Sequence, residues 1–275
     1  MTGERSPDRL LRPHWRDENR IVRPAFLQST IMKMKMKRLV EVVAVWMLLA
    51  VSITPLVGAD YHSPIRVLFL GDSDHHHPAD RFKQLQPVLA KRNIELDYTG
   101  DLHDLSNEKL AGYDCLLIYA NWTRITPEEE AALFDFVDRG GGFVPIHCAS
   151  YCFLNSPRYI ELVGGQFKSH QTGTFKETIV KPDHPIMEGL TEIESWDETY
   201  VHTKHNPNRI VLAERREDGK AEPYTWVRTQ GRGRVFYTAW GHDERTWSNT
   251  GFQNLVEHGI RWASANSPTR LESKN

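Results

Sequence analysis

The chain has 275 residues, of which 40% are hydrophobic and 25% are charged. These fractions are ordinary for a globular protein and exclude collagen-like, coiled-coil and wholly disordered chains. The net charge of -2 gives no general electrostatic reason to expect nucleic acid as a partner. The charge is nevertheless uneven, because ten of the 34 basic residues lie within residues 1–38 whereas 31 of the 36 acidic residues follow residue 59. Two segments of different character are therefore joined in one chain.

Residues 32–59 have the three parts of a secretory signal peptide. Basic residues precede a run of about fifteen mostly apolar residues, and small residues then lead to Ala59, after which cleavage is expected. This run is shorter than the roughly 20 residues of a permanent membrane helix, so we predict export to the periplasm or the extracellular space. The alternative is a membrane anchor formed by uncleaved residues 39–57.

Residues 1–31, which precede this signal, are polar and rich in arginine. We expect them to have no packed structure. They are either a disordered extension or an artefact of the assigned start, since three methionines offer later starts: Met32, Met34 and Met36.

The first half of the remaining chain alternates between strand-like and helix-like segments. Strands are predicted at residues 65–70, 94–98, 116–119 and 143–146. Apolar spacing predicts a helix at residues 80–92. A second helix is expected to begin after Thr126, a good N-cap residue that precedes Pro127 and three glutamates, and to end at Gly140. This alternation indicates a parallel sheet with helices on both faces.

The pattern changes after residue 160. Residues 169–181 and 209–215 read as strands, residues 225–228 and 234–239 as a hairpin, and residues 250–263 as an amphipathic helix. The sequence contains neither an internal repeat nor a domain linker. We therefore predict one α/β domain over residues 60–275, with three layers, a mainly parallel sheet and an antiparallel extension in its C-terminal half.

Polar side chains follow several predicted strands, at the sheet edge where open α/β proteins bind ligands. These are the His75–His77 run, Asn121 and Trp122, His147, and His242 with Asp243. The segment 196–202 contributes further carboxylates and an imidazole. Imidazoles and carboxylates that converge in this way predict a metal site or an acid–base site. Each of them also has an ordinary interpretation, as part of a solvated loop or as a hydrogen-bonded core residue.

The turn after the 143–146 strand resembles a nucleophile elbow. In the Gly-x-Cys-x-Gly pattern of class I glutamine amidotransferases, the register places His147 at the nucleophile position and Cys148 one residue late. Both glycines are replaced, by Pro145 and Ala149. We therefore expect no glutamine amidotransferase activity. The three cysteines of the chain are an odd number and do not indicate a disulfide framework.

Six motifs occur in an order that resembles the ThuA-like (trehalose utilisation) family. They are RVLFLGDSDHHH, GGGFVPIHCAS, GGQFKSH, DHPIMEGL, WDETYVH and GRGRVFYTAWGHDERTW. The resemblance covers residues 64–265 and implies the flavodoxin-like fold of the class I glutamine amidotransferase-like superfamily. The family pattern has His rather than Cys at the elbow, which agrees with the register.

The resemblance implies carbohydrate metabolism, with a keto-disaccharide or a trehalose-type sugar as the small-molecule partner and isomerase or hydrolase chemistry. The expected catalytic residues, which are also candidate ligands of a divalent metal such as zinc, are His147, Glu198 and His242. The expected substrate-binding residues are Trp122, His77, His170 and Trp240. Asp197 and Asp243 are expected to orient them. The alternatives are a non-catalytic sugar-binding module and a hydrolase that depends on Cys148.

Overall fold

The computed structural model describes residues 63–272, so the predicted extension 1–31 and the predicted signal peptide 32–59 lie outside the described residues. Within residues 63–272, no helix is both long and apolar enough to cross a membrane. The described residues build one large mixed sheet, a small two-stranded sheet and seven helices.

The first half supplies four strands and four helices. The strands are β1 (Ile65–Leu70), β2 (Ile94–Thr99), β3 (Cys115–Ile118) and β4 (Gly142–Pro145). The helices are α1 (Pro78–Ala90), α2 (Asn107–Leu110), α3 (Pro127–Asp138) and α4 (Pro157–Val163). Short 3-10 turns lie at Leu102–Asp104 and His147–Tyr151.

The second half supplies seven strands and three helices. The strands are β5 (Gln166–Ser169), β6 (Thr172–Ile179), β7 (Glu194–Glu198), β8 (Val201–Thr203), β9 (Ile210–Glu217), β10 (Lys220–Gln230) and β11 (Gly233–Thr238). The helices are α5 (Glu244–Trp247), α6 (Thr250–Ser264) and α7 (Pro268–Glu272). A third 3-10 turn lies at Pro185–Met187.

The large sheet has the strand order β2-β1-β3-β4-β11-β10-β9-β6-β7. The strands from β2 to β11 in this order pair in parallel, and those from β11 to β7 pair antiparallel. Strands β5 and β8 form the small antiparallel sheet. This topology confirms the prediction of an α/β protein whose parallel sheet has an antiparallel extension in the C-terminal half.

Two adjacent residues of β11 show that helices cover both faces of the sheet, since neighbouring side chains of a strand point to opposite faces. Phe236 packs on α6 so closely that a Cβ atom added at Gly259 would lie 2.3 Å from its ring. Tyr237 stacks on Trp226 with ring centroids 4.2 Å apart. The Trp226 indole donates a hydrogen bond to the carbonyl of Val163, at the end of α4, at 2.7 Å.

Some element boundaries differ from the sequence predictions. The predicted strand over residues 169–181 corresponds to β6, and only its first residue, Ser169, belongs to β5, which lies in the other sheet. The sequence pattern does not indicate β7, because its acidic residues suggest a loop. Pro145, unusual in a central strand, is the last residue of β4, and the ladder continues through Ile146, whose N–H donates to Ile118.

The start of α3 agrees with its sequence signals. The Thr126 hydroxyl accepts a hydrogen bond from the Glu129 N–H at 3.2 Å, and a Glu129 carboxylate oxygen accepts one from the Thr126 N–H at 2.9 Å. This capping box satisfies two backbone donors that a helix end otherwise leaves unpaired. It also holds the Glu129 carboxylate in a fixed position.

A buried carboxyl group on β6 makes the stability of the fold depend on pH. Burial raises the pKa of Glu177 to about 7, against 4.5 for an ordinary glutamate, although the Trp240 indole donates a hydrogen bond to the Glu177 carboxylate at 2.9 Å. The folded state therefore binds a proton more tightly than the unfolded chain. Its contribution to stability is complete below pH 4.5 and is lost as the pH rises through about 7.

We expect Glu177→Gln to remove this pH dependence and to raise the free energy of unfolding at pH 8, relative to wild type, by up to about 3 kcal/mol. Urea unfolding at pH 5 and pH 8 measures the effect. Exposed Glu188 provides the control, as Glu188→Gln. The same pH dependence in Glu177→Gln and in wild type would contradict the assignment.

Candidate metal and acid–base site

The strand order places four loops at one edge of the sheet. The chain adds β2 on one side of β1 and β3 on the other side, so the direction in which the sheet grows reverses between β1 and β3. Open α/β sheets bind ligands at such a reversal, outside the carboxyl ends of the strands. His76 follows β1, Asn121 follows β3, His147 follows β4 and His242 follows β11. Glu198, the last residue of β7, reaches the same place from the antiparallel half of the sheet.

Four side chains form what we call the His–Glu cluster: His76, His147, Glu198 and His242. Each of them offers one nitrogen or oxygen atom, and these four atoms all lie within 4.8 Å of one another. Nε2 of His147 lies 3.3 Å from Oε2 of Glu198, and Nδ1 of His242 lies 3.2 Å from Oε1. Three imidazoles thus surround one carboxylate.

His147 occupies the tip of the elbow, as the register predicts. Its backbone is left-handed, with φ 49°, a conformation that is strained for a residue with a side chain. The Tyr237 hydroxyl donates a hydrogen bond to the His147 carbonyl at 3.1 Å, and the Tyr200 ring stacks on the imidazole at 4.1 Å. The backbone and the ring of His147 are therefore both held.

The tautomer of neutral His147 follows from its hydrogen bond. Nδ1 lies 2.7 Å from the Ala239 carbonyl oxygen, which only accepts, so Nδ1 carries a proton. Nε2 then presents a lone pair towards the Glu198 carboxylate. Both Nε2 of His147 and Nδ1 of His242 are buried and have no hydrogen-bond partner. A proton or a metal cation between these nitrogens and the Glu198 carboxylate would give the unpaired nitrogen atoms a partner.

His242 is positioned by a neighbouring carboxylate rather than by its own side-chain contacts. The fully buried Asp197 accepts hydrogen bonds from the backbone N–H groups of Glu198, Gly241 and His242, at 2.7, 3.0 and 3.0 Å. The carbonyl of Gly241 accepts from the Tyr119 hydroxyl and from the Trp247 indole, each at 2.6 Å. Asp197, which the sequence predicts as an orienting residue, therefore contacts the loop that carries His242, and its role stays a prediction.

The triple-histidine loop contributes a different residue from the one predicted. His76 is buried, and its Nδ1 lies 3.0 Å from the side-chain nitrogen of Asn121. His77 is exposed and left-handed, with φ 53°, at the N-cap of α1. Because Pro78 begins the helix, the chain turns at His77 and directs its side chain to solvent. The cluster member is His76, not His77.

The protonation states of the cluster follow from burial and from mutual charge. Burial, and then repulsion by His147, lowers the pKa of His76 to about 2 and also lowers the pKa of His242. Burial alone raises the pKa of Glu198, but contact with His147 and the charges of His242 and His170 outweigh it and lower the pKa overall. At neutral pH His76 and His242 are thus neutral and Glu198 is ionised, which are the forms that bind metals.

His170 lies at the mouth of the cluster. Its side chain is 38% exposed, and its Nδ1 lies 3.4 Å from Oε1 of Glu198. A cavity of about 160 Å³ reaches the cluster here, and its walls include Tyr151, Phe167 and Tyr200. The predicted site residues that the structure brings together are His147, His170, Glu198 and His242, with Asp197 behind them.

Three other predicted residues lie elsewhere. Trp240 is fully buried and stacks on Phe175 at 4.4 Å, so no substrate reaches it. Asp243 caps α5 and pairs with Arg245 instead of contacting the cluster. Trp122 is half-buried and lines a separate cleft.

Cys148 is fully buried behind the elbow, and burial raises the pKa of its thiol well above the ordinary value. A thiol in this environment stays protonated and is a poor nucleophile. This placement agrees with the register, which puts His147 at the elbow tip.

Sequence reasoning missed the aromatic residues at the mouth of the cluster. Tyr151, Phe167 and Tyr200 come from three separate segments, and their rings meet in pairs, Phe167 with Tyr200 at 4.4 Å and with Tyr151 at 5.6 Å. No regular spacing in the sequence predicts that these three residues form one aromatic wall of the cavity. The only local signal is that each aromatic residue lies within a few positions of a predicted polar cluster.

A family model described as "Trehalose utilisation" (ThuA) matches residues 66–263. The chain belongs to the ThuA family. The match spans β1 to α6 and so includes the elbow and every residue of the His–Glu cluster. The match confirms the family resemblance that the six ordered motifs indicate. No curated protein matches the chain significantly.

Solved structures show the same fold. A ThuA-like protein from Bacteroides uniformis has a TM-score of 0.65 and 19% identity, and the match covers 75% of this chain and 94% of that one. A ThuA-like protein from Parabacteroides merdae has a TM-score of 0.65 and 20% identity, with 74% and 91% covered. A Thermoplasma acidophilum protein described as a GMP synthase subunit gives 0.52 and 14%, with 78% and 100% covered. The chain therefore shares its fold with two ThuA-like proteins and with a protein described as a GMP synthase subunit.

The orienting role of Asp197 in this ThuA-family chain can be tested with an isosteric change. Asp197→Asn replaces one carboxylate oxygen with an NH₂ group, which would face a backbone N–H that needs an acceptor. We expect the free energy of unfolding to fall by about 1–3 kcal/mol, as for other buried groups that lose a partner. Urea unfolding at pH 7 measures the change.

Asp243→Asn is the matched control, because asparagine caps helices about as well as aspartate and should leave stability nearly unchanged. Equal stability of Asp197→Asn and wild type would show that Asp197 does not hold the loop of His242.

Proposed function

We propose that this ThuA-family protein is an exported, metal-dependent enzyme of carbohydrate metabolism, an isomerase or a hydrolase, whose His–Glu cluster binds a divalent cation such as Zn²⁺. The observation that carries the metal proposal is the pair of buried imidazole nitrogens without hydrogen-bond partners, on His147 and His242, that face one carboxylate. The carbohydrate proposal rests on the family to which the chain belongs.

The donor set fits zinc. Imidazole nitrogens and carboxylate oxygens are common zinc ligands, and donors about 2.1 Å from a tetrahedral ion lie roughly 3.4 Å apart. The separations of 3.3 and 3.2 Å from Glu198 to His147 and His242 are close to that value. The hydrogen bond from Nδ1 of His147 to the Ala239 carbonyl is the kind of outer contact that fixes a metal-binding histidine.

A bound divalent cation would act as a Lewis acid and would lower the pKa of a coordinated water molecule. The chain itself supplies the groups around it. His170, partly exposed and next to Glu198, can exchange a proton between the cavity and solvent. Tyr151, Phe167 and Tyr200 offer aromatic faces on which the apolar face of a sugar ring can stack.

The metal proposal predicts that purified full-length protein binds about one equivalent of zinc through donors of the His–Glu cluster. His147→Ala, His242→Ala and Glu198→Gln should each reduce the zinc retained after dialysis by about tenfold or more, because losing a ligand costs at least as much affinity as losing an outer contact of a ligand. Inductively coupled plasma mass spectrometry measures the stoichiometry.

The triple-histidine loop supplies the control pair. His76→Ala should lose zinc, whereas His77→Asn should retain it, because asparagine tolerates the left-handed backbone at position 77. Wild-type protein that is incubated with zinc and retains no zinc after dialysis would refute the metal proposal. Turnover of a panel of disaccharides and keto-sugars, with His147→Ala as control, separates an enzyme from the alternative of a sugar-binding module.

Export is tested by expressing residues 1–275 in a Gram-negative host. The expected product is periplasmic and begins at Asp60, as N-terminal sequencing would show, because small residues before Ala59 suit signal peptidase. Leu48→Arg interrupts the apolar run and should block export. An uncleaved chain in the membrane fraction would favour the anchor 39–57, and an uncleaved cytosolic chain would contradict both.

A further inference from the structure

A second cavity lies beside the His–Glu cluster. This cleft has a volume of about 740 Å³ and is bordered by the ends of β2 and β3 and the start of α3. Its size falls within the usual range for small-molecule sites, roughly 300–1,000 Å³. The cavity at the His–Glu cluster, at about 160 Å³, falls below that range. A disaccharide that reacts at the cluster therefore needs space elsewhere.

The floor of the cleft is rigid. The Trp122 indole donates a hydrogen bond to the Gly71 carbonyl at 3.2 Å, and the Trp122 carbonyl accepts one from the Phe153 N–H at 2.7 Å. The Asn155 side chain binds both the N–H and the carbonyl of Ile125, at 3.0 and 2.9 Å. These hydrogen bonds hold the segment that carries Trp122 from two sides. Because the half-buried indole is already in place, a ligand that binds to it does not lose free energy by ordering this side chain.

The polar groups of the cleft suit hydroxyl groups. The His103 ring is 85% exposed, and its Nδ1 lies 3.1 Å from the Glu129 carboxylate, so its Nε2 is available to a ligand. Glu129 is itself buried and fixed by the Thr126 N–H. Exposed Arg124 adds donors and Asp101 adds an acceptor. The cleft contains the carboxylates of Asp101 and Glu129 and one guanidinium, that of Arg124. The excess of negative charge would repel a phosphate group, so a phosphorylated ligand is disfavoured.

We propose that this cleft binds a neutral pyranose ring, with the Trp122 indole against the ring face and Arg124, Asp101 and His103 on its hydroxyls. The inference rests on the proposed carbohydrate function and names a second subsite for it. Asn121 lines the cavity at the cluster and Trp122 lines the cleft, so one pair of adjacent residues borders both. The cleft takes the ring of a disaccharide that does not react.

The test is isothermal titration calorimetry of the full chain with trehalose and with glucose. Trp122→Ala should weaken trehalose binding by about tenfold or more, and Arg124→Ala by about threefold, since each loses a direct contact. The control is Trp196→Ala, which removes a half-buried indole that packs on Arg245 at 4.3 Å, away from the cleft. It should change the affinity less than twofold.

Three outcomes would overturn the proposal: no binding of trehalose by wild-type protein, wild-type affinity in both Trp122→Ala and Arg124→Ala, or tighter binding of trehalose 6-phosphate than of trehalose. Arg124 is exposed, so its variant reports on binding even if Trp122→Ala fails to fold.

Repeating the titrations in EDTA separates this proposal from the metal proposal. Unchanged trehalose affinity that still depends on Trp122 supports the cleft, whatever the metal content. Loss of trehalose binding in EDTA would place the sugar at the His–Glu cluster and would overturn the cleft proposal. Protein that retains zinc but binds trehalose independently of Trp122 would leave only the metal proposal standing.

Discussion

The buried carboxylate of Asp197 joins the two halves of the sheet at the functional edge. It lies at the end of β7, in the antiparallel half, and accepts N–H bonds from Gly241 and His242, which follow the parallel strand β11. A carboxylate out of contact with water is costly unless its oxygens are hydrogen-bonded, so the three backbone donors and the carboxylate stabilise one another. Glu198 is the next residue along β7, and its position beside His147 and His242 depends on this bond network.

The chemistry of the cluster is a consequence of burial. Imidazoles packed together at the end of a sheet are hard to protonate, since water is excluded and each positive charge would repel the next. His76 and His242 therefore stay neutral, whereas contact with His147 and proximity to His242 and His170 lower the pKa of Glu198 and keep it ionised. The strained backbone of His147 brings its ring over this carboxylate. The free energy of folding thus holds together imidazole nitrogens and carboxylate oxygens that would stay apart in a flexible loop.

The sequence predictions of residue positions agree with the structure where a short sequence pattern is compatible with only one local conformation. The elbow register placed His147 correctly because a strand, a turn and a helix must follow one another without a gap. His242 could be nominated because polar residues after strands collect at one edge, and Glu198 because it lies in the WDETYVH motif of the family resemblance. The choice of His77 over His76 failed, because adjacent side chains diverge and only the φ angle of 53° at His77 decides which one points inward.

Trp122 and Trp240 show the same limit for aromatic residues. Both follow a strand of the parallel sheet, and the sequence gives no reason to separate them. Phe175, about 65 positions away on β6, covers Trp240 and makes it part of the core, whereas within residues 63–272 no side chain covers Trp122 to the same extent. Burial of a side chain is set by distant segments, which local patterns do not contain.

The sequence by itself indicated the alternation of strands and helices, the ThuA family through its motifs, and the polar residues that follow the strands, because apolar periodicity and short motifs are local properties of the chain. Only the tertiary structure decided that three imidazoles meet one carboxylate, that His76 rather than His77 is among them, and that the aromatic wall belongs to Tyr151, Phe167 and Tyr200. These outcomes depend on distances between segments far apart in the chain, and those distances are fixed by packing and by the Asp197 hydrogen bonds.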